Sequence, residues 1–180
     1  MSVYCSQQSS AMEVRAEKPE DIAAIRQVNI AAFGRENEAD LVDQLRGVAS
    51  SFGFVAVKSE QVVGHIFFSP VILAGECSDN LLILGLAPVA VLPDYQRQGI
   101  GSLLIESSLK KCDRLGCQAV VVLGHPEYYP RFGFIRATDK GLKCEYPVPD
   151  EAFMVLELVE GALTGCTGTV KYRSEFSACE

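Results

Sequence analysis

The period of apolar positions changes several times along the chain, and each change marks an element. Residues 12–16 predict a first strand. Pro19, with Glu20 and Asp21 behind it, is a helix-start signal. Ile22, Ile25, Val28 and Ala32 then recur at helical spacing up to Gly34 and predict a first helix. Asn37 with Asp40 three residues on resembles a capping box. Leu41, Val42 and Leu45 form one face of a short second helix that Gly47 can close. Its acidic first turn suits the helix dipole.

From Phe54 the period falls to that of a strand. Residues 54–58 and 61–68 predict two strands joined at Ser59-Glu60 as a hairpin, and residues 71–80 a continuation followed by a loop. Residues 81–92 are apolar throughout but interrupted by Gly85 and Pro88, which predicts a buried strand with a bulge, because Pro88 has no N–H to give a ladder. After Gly99 the helical period returns. Ile100, Leu103, Leu104, Cys112 and Leu115 lie on one side, Glu106, Lys110, Lys111 and Arg114 on the other, and Gly116 closes the helix. Residues 119–123 form a continuous apolar run, as in a strand covered on both faces. Residues 153–159 and 169–172 predict the last strands. Residues 1–11 are polar and patternless, which predicts a flexible N-terminal tail before one domain spanning 12–180.

Composition narrows the function classes. A chain of 180 residues with 48% hydrophobic and 22% charged residues suits one packed domain. Its net charge of −7 offers no general attraction to nucleic acid or anionic lipid, so neither is expected as a partner. No apolar run approaches the ~20 residues of a membrane span, and the first residues lack the pattern of a secretory signal, which predicts a cytoplasmic protein. The seven cysteines (Cys5, Cys77, Cys112, Cys117, Cys144, Cys166 and Cys179) are scattered and have only His65 and His125 for company. They predict reduced thiols acting as small hydrophobes, with neither a metal site nor a disulfide framework.

The most informative stretch combines a strand, a tight polar turn, Gly-x-Gly and a helix: Val89, Ala90, Val91, Leu92, Pro93, Asp94, Tyr95, Gln96, Arg97, Gln98, Gly99, Ile100, Gly101 and Ser102. Glycines admit a ligand close to the backbone, and the free N–H groups of a helix start favour an anion. A plain strand-to-helix turn would use the same glycines, so the pair alone does not decide. A dinucleotide fingerprint needs a third glycine and a place after the first strand. A phosphate-binding P-loop needs a following Gly-Lys-Ser/Thr. Both are absent.

Taken whole, Gln96-Arg97-Gln98-Gly99-Ile100-Gly101 resembles the coenzyme A signature of the GNAT superfamily of N-acetyltransferases, Gln/Arg-x-x-Gly-x-Gly/Ala. Tyr129-Pro-Arg-Phe-Gly-Phe134 is similar to the superfamily's later Tyr-x-x-x-Gly-Phe motif, and the order of elements matches. The wording of residues 85–91 and 124–134 is most similar to the YhbS-type subgroup. The resemblance implies an α/β (α+β) fold: a mixed, largely antiparallel central sheet opened into a V, with helices on both faces. It also implies acetyl-coenzyme A as cosubstrate, without a metal. Val89, Ala90 and Val91 would meet the pantetheine arm in a gap beside residues 119–123. Gln96, Arg97, Gln98, Gly99, Ile100, Gly101 and Ser102 would seat the pyrophosphate. Arg97 either adds charge there or stays a solvated surface residue.

The implied activity is acetyl transfer to a primary amine, on a small molecule or a peptide, by direct attack on the thioester. A backbone amide near Val89 or Val91 would polarise the carbonyl. Tyr129 would meet the departing thiolate and Tyr128 would pack beside it. With reference values near ~10 for tyrosine and ~8.5 for a thiol, proton transfer is uphill by ~2 kcal/mol, which favours a hydrogen bond over transfer. Residues 81–92 hold no carboxylate, and the asparagine often found ahead of the tyrosine is missing, so Glu36, Glu38 and His65 are the candidates for a base. Residues 33–37 and 71–80 are the expected substrate loops. A non-catalytic acyl-coenzyme A sensor on the same fold is the alternative. Neither acyl preference nor a choice of monomer or homodimer follows from these motifs.

Overall fold

The computed structural model describes residues 11–77 and 81–179; residues 1–10 of the expected tail, Cys5 and the end of the second expected substrate loop lie outside them. Among the described residues ten strands and three α-helices follow in order: β1 (Glu13–Ala16), α1 (Ile22–Phe33), α2 (Asn37–Leu45), β2 (Phe52–Lys58), β3 (Gln61–Pro70), β4 (Ile72–Glu76), β5 (Ile83–Val91), α3 (Ile100–Arg114), β6 (Ala119–Leu123), β7 (Ile135–Arg136), β8 (Leu142–Cys144), β9 (Phe153–Glu157) and β10 (Thr167–Lys171). A seven-stranded sheet has the order β1-β2-β3-β5-β6-β9-β7, and a three-stranded one the order β4-β10-β8. Within the larger sheet every pairing is antiparallel except β5 with β6.

Most elements follow the sequence pattern. Pro19–Asp21 forms a 3-10 turn leading into α1, and Gly34 ends α1 in the left-handed region at φ 72°. Ser59 and Glu60 make the two-residue hairpin turn, with φ of 49° and 66°, the backbone that matches strand twist. The capping box expected at Asn37 is absent: the cap position is Glu36, and its side chain makes no capping bond. On α3 the buried stripe runs through Ile100, Leu104, Ile105, Ser108, Leu109 and Cys112. Leu103 lies at its edge and is partly exposed, while Leu115 follows the last helical residue and is exposed.

Alternation along the strands builds two faces. Phe54, Ala56, Ile66 and Phe68 pack with α3 on one face, and Val55, Phe67 and Ala90 pack with α1 and α2 on the other. Truncating a side chain such as Leu104, fully buried at the centre of the α3 face, to alanine would cost about 2–5 kcal/mol. Over β6 and β9 the second face is covered not by a helix but by the small sheet: Ala119, Val121 and Val155 pack with Leu142 and Val170. Of that sheet only the middle strand, β10, was expected, as residues 169–172. β8 has only three residues and β4 begins two residues after β3 ends, so neither presents a period of its own. Gly75 and Gly168 let β4 and β10 approach closely, since a Cβ on Gly168 would stand 2.8 Å from the Gly75 Cα.

The small sheet corrects the reading of the cysteines. Its register sets Thr167 opposite Glu76, so Cys166 and Cys77 are the next pair along the same ladder, and they form a disulfide. Eighty-nine residues of sequence separate them, which concealed the pairing. Cys112 and Cys117 do behave as small buried hydrophobes, and burial pushes their thiols up to about 12 and about 11.

Candidate active site

The parallel pairing of β5 with β6 runs from Ile83 opposite Ala119 to Leu86 opposite Val122 and then stops. β6 continues on β9 alone, and β5 from Ala87 to Val91 continues on β3 alone. The sheet opens between them. The divergence begins at a bulge: Phe68 faces Leu86 and Ile66 faces Val89, so Phe67 stands against both Ala87 and Pro88. Pro88 occupies the position where a missing N–H costs no ladder bond.

Backbone alternation decides what β5 offers the gap. The Leu92 N–H donates to Val63 O at 2.9 Å, so Leu92 and Ala90 turn their backbone groups toward β3, and Val89 and Val91 turn theirs toward the gap. Ala90, expected among the cofactor contacts, is therefore directed away, and its side chain is buried under α1 and α2. The Val91 carbonyl accepts from Gln96 Nε2 at 3.0 Å, which makes Gln96 a brace for the turn.

At the end of that turn Arg97 and Gly99 both adopt the left-handed region, at φ 59° and 83°, and α3 begins. Its first helical bond runs from the Leu103 N–H to Gly99 O at 2.9 Å, so the amides of Ile100, Gly101 and Ser102 precede the ladder and lie at the positive end of the dipole. The Gln98 side chain bonds back to Asp94 O and does not line the cleft.

A cleft of about 1010 Å³ runs from this helix start through the gap in the sheet to the opposite face. On the α3 side it is lined by Gln96, Arg97, Gly99, Ile100, Gly101 and Ser102, and in the gap by Pro88, Val89, Val91, Val122 and Leu123. On the far side it opens between Phe33, Arg35, Glu38 and Leu41 of the α1–α2 corner and Tyr146, Tyr172 and Phe176 beyond the small sheet.

Tyr129 lies at the lip of the gap. It starts the 3-10 turn Tyr129–Phe132, which Gly133 ends at φ 91°. Its ring meets Tyr128 and Phe134 edge-on, with centroids 5.3 Å and 5.6 Å away. Only 8% of Tyr129 is exposed, and burial, reinforced by Tyr128, pushes its hydroxyl up to about 12. Tyr128 does more than pack: a Cβ on Gly101 would stand 3.1 Å from the Tyr128 hydroxyl, so this group lies over the start of α3. The Arg131 guanidinium stacks over the Tyr128 ring at 4.3 Å, and its Nε donates to Tyr128 O at 3.2 Å. Tyr128, Arg131 and His125 all line the cleft and were not among the expected site residues. The signal was adjacency to Tyr129, but only the turn's fold back onto α3 distinguishes them.

The three candidate bases separate. His65 is fully buried on the α1 face, where Nδ1 faces Asn29 Nδ2 at 3.2 Å and Nε2 faces Glu17 Oε2 at 3.1 Å. Burial lowers its pKa against the opposing pull of Glu17 and keeps it neutral. Burial also acts to raise Glu17, but hydrogen bonds from His65 and Arg46 outweigh it and leave the carboxylate below its ordinary range. His65 is thus a satisfied structural histidine and not a base. Glu36 is exposed and pairs with Arg26, away from the cleft lining. Glu38 does line the cleft, with its side chain 12% exposed and Oε1 accepting from Arg35 Nε at 3.0 Å.

Comparison with known proteins fixes the family. Over 168 residues, 92% of this chain and 99% of the other, the sequence is 39% identical to the uncharacterised N-acetyltransferase YhbS of Escherichia coli strain K12. The chain belongs to the GNAT acetyltransferase family. Residues 49–136 match the family's acetyltransferase (GNAT) domain. The crystal structure of YhbS from Escherichia coli in complex with CoA superposes with a TM-score of 0.87 at 38% identity, covering 93% of each chain. A GNAT acetyltransferase from Brucella melitensis in complex with acetyl-CoA gives 0.74 at 35% identity, covering 93% of this chain and 99% of that one. The matched GNAT segment holds β5, the turn, α3, β6 and Tyr129. Phe33, Glu38, Tyr146, Tyr172 and Phe176 fall outside it.

Proposed function

We propose that the protein transfers acetyl from acetyl-coenzyme A to a primary amine by direct attack of the amine on the thioester. The observation that supports this most is the single cleft joining the start of α3, the opened sheet and Tyr129 to a chamber on the other face. The residues present suit the cosubstrate. The amides of Ile100, Gly101 and Ser102, with Arg97, Arg131 and the Tyr128 hydroxyl nearby, are the groups to hold a pyrophosphate. Val89 and Val91 present backbone groups where an extended pantetheine arm would pair, and one of their amides is suited to polarise the carbonyl.

Acetyl-coenzyme A supplies a thioester whose C–S bond breaks as the C–N bond forms, with coenzyme A leaving as a thiolate. Tyr129 then acts as a neutral hydrogen-bond donor. With its hydroxyl at about 12 and a thiol near ~8.5, full proton transfer would be uphill by about 5 kcal/mol, so Tyr129 keeps its proton. Glu38 is the one of the three expected bases that lines the cleft, and it is the candidate to take the amine's proton, directly or through water.

Incubation of a mixed primary-amine pool with acetyl-labelled acetyl-coenzyme A, followed by mass spectrometry, tests the reading. Label on an amine is expected. Label that stays on coenzyme A would instead support the acyl-coenzyme A sensor, a reading that the absence of any carboxylate on β5 favours.

A further inference from the structure

The far end of the cleft has a chemistry of its own. One wall, from the α1–α2 corner, carries Phe33, which is 41% exposed, and Glu38. The other is a row of rings: Tyr146 and Tyr172 with centroids 5.8 Å apart, and Tyr172 and Phe176 at 5.2 Å. Tyr172 is set by its surroundings. Its ring lies over Gly85, where a Cβ would stand 3.0 Å from Cε1, and its hydroxyl is buried without a hydrogen-bond partner among the described residues.

Charge in the cleft is equally selective. Among the described residues Glu38 is the only acidic one in its lining, paired with Arg35, while Arg97 and Arg131 lie on the α3 side. Asp40 and Asp43 bind Arg26 on the outer side of the corner and do not line the cleft. One ammonium can therefore be met beside Glu38, whose carboxylate it would share with Arg35, while a second would find no further carboxylate among the described lining residues.

Resting on the acetyl-transfer reading above, we infer that the acceptor is a small monoamine with an aromatic or similarly bulky apolar body, held between Phe33 and Glu38 on one wall and Tyr146, Tyr172 and Phe176 on the other. The rings supply apolar contact and faces for a cation, and Glu38 orients the nitrogen toward the gap. The Tyr172 hydroxyl has unmet hydrogen-bonding capacity for a polar substituent on the acceptor.

Thiol release from acetyl-coenzyme A with tyramine and phenethylamine, compared with spermidine and Nα-acetyl-lysine amide, tests this. The aromatic monoamines should exceed the other two in kcat/KM by at least roughly ten-fold. Phe33→Ala, at an exposed position, and Phe176→Ala should each raise KM for tyramine by about five-fold or more, with coenzyme A affinity unchanged by calorimetry. Preference for spermidine or the lysine derivative, or an unchanged tyramine KM in both variants, overturns the inference and leaves acetyl transfer standing. Failure to acetylate any of the four by a protein that binds acetyl-coenzyme A overturns this inference; acetylation of other amines in the labelled pool would then preserve the broader reading, and no acetylation there would remove it too.

Discussion

The ring of Tyr129 lies directly on Gly124: a Cβ at that glycine would press into the ring, standing 2.8 Å from Cδ2 and 3.2 Å from Cζ. Gly124 follows β6, so the residue just past the strand and the tyrosine of the next turn share one space. Gly124→Ala should therefore displace the tyrosine without removing its hydroxyl. We expect a fall in single-turnover rate approaching that of Tyr129→Phe, with coenzyme A affinity within a few-fold of wild type, measured by rapid quench and calorimetry. An unaffected rate would mean that the ring's place is immaterial.

At the other end of the cleft, Gly101 faces the Tyr128 hydroxyl. Gly101→Asp puts a side chain into that contact and a negative charge at the start of α3, and should weaken coenzyme A binding at least ten-fold, or ~1.4 kcal/mol. Tyr128→Phe should weaken it less and leave single-turnover chemistry near wild type. Isothermal titration of both folded proteins checks the pair, and unchanged affinity in Gly101→Asp would move the phosphates elsewhere.

Much of the α3 side of the cleft was legible from the sequence, because strand, glycine turn and helix start are contiguous and each leaves a local signature. Pro88 announced the bulge in the same way. On the far side residues 33–37 and Glu38 were also expected near a substrate, but Tyr146, Tyr172 and Phe176 were not, since they fall in short segments that join the α1–α2 corner only in the fold. His65 shows the opposite error. It read as a candidate base, and the fold buries it with Glu17 and Asn29 on the face away from α3. Composition could not reveal this, because it depends on which face of β3 the side chain takes.

Arg15 holds Asp21 through two bonds, at 2.6 Å and 2.9 Å, and the Lys18 N–H adds a third at 2.8 Å. The Arg15 bonds, outweighing the effect of burial, lower the Asp21 carboxyl below its ordinary value. A lowered folded pKa gives stability that is present above the unfolded value of ~3.9 and is lost as pH falls through the folded one. Asp21→Asn should thus cost about 1–3 kcal/mol at neutral pH, and urea titrations should show the difference shrinking below pH ~4. A difference constant with pH would contradict the pairing.

The Cys77–Cys166 bridge joins the edge of the small sheet to the strand that precedes Tyr172. Alkylation followed by mass spectrometry should find Cys77 and Cys166 protected in the folded protein and labelled only after reduction. Cys77→Ser with Cys166→Ser should lower thermal stability, since closing a loop of this length is worth about 2–5 kcal/mol in the unfolded chain. Full labelling without reductant would show two adjacent thiols instead.

Burial sets the pH behaviour of Tyr129. A hydroxyl raised to about 12 stays protonated throughout the ordinary working range, so loss of the donor should produce no alkaline fall in rate below pH ~10. Its raised pKa also gives stability that is complete below the unfolded value of ~10 and lost as pH rises through about 12. Single-turnover rates against pH in a thermally stable range would expose an alkaline limb if the tyrosine titrated lower.

The central claim is that Tyr129 stabilises the departing thiolate, and removing only its hydroxyl tests that most directly. Single-turnover acetyl transfer by Tyr129→Phe, measured at saturating acetyl-coenzyme A, should be slower than wild type by 10²-fold or somewhat less, because the donor acts mainly in the transition state. Coenzyme A affinity should be nearly unchanged, since the ring and its contacts with Tyr128 and Phe134 remain. Equal single-turnover rates for the two proteins would remove Tyr129 from the mechanism, and a defect confined to Tyr128→Phe would assign the role to its neighbour.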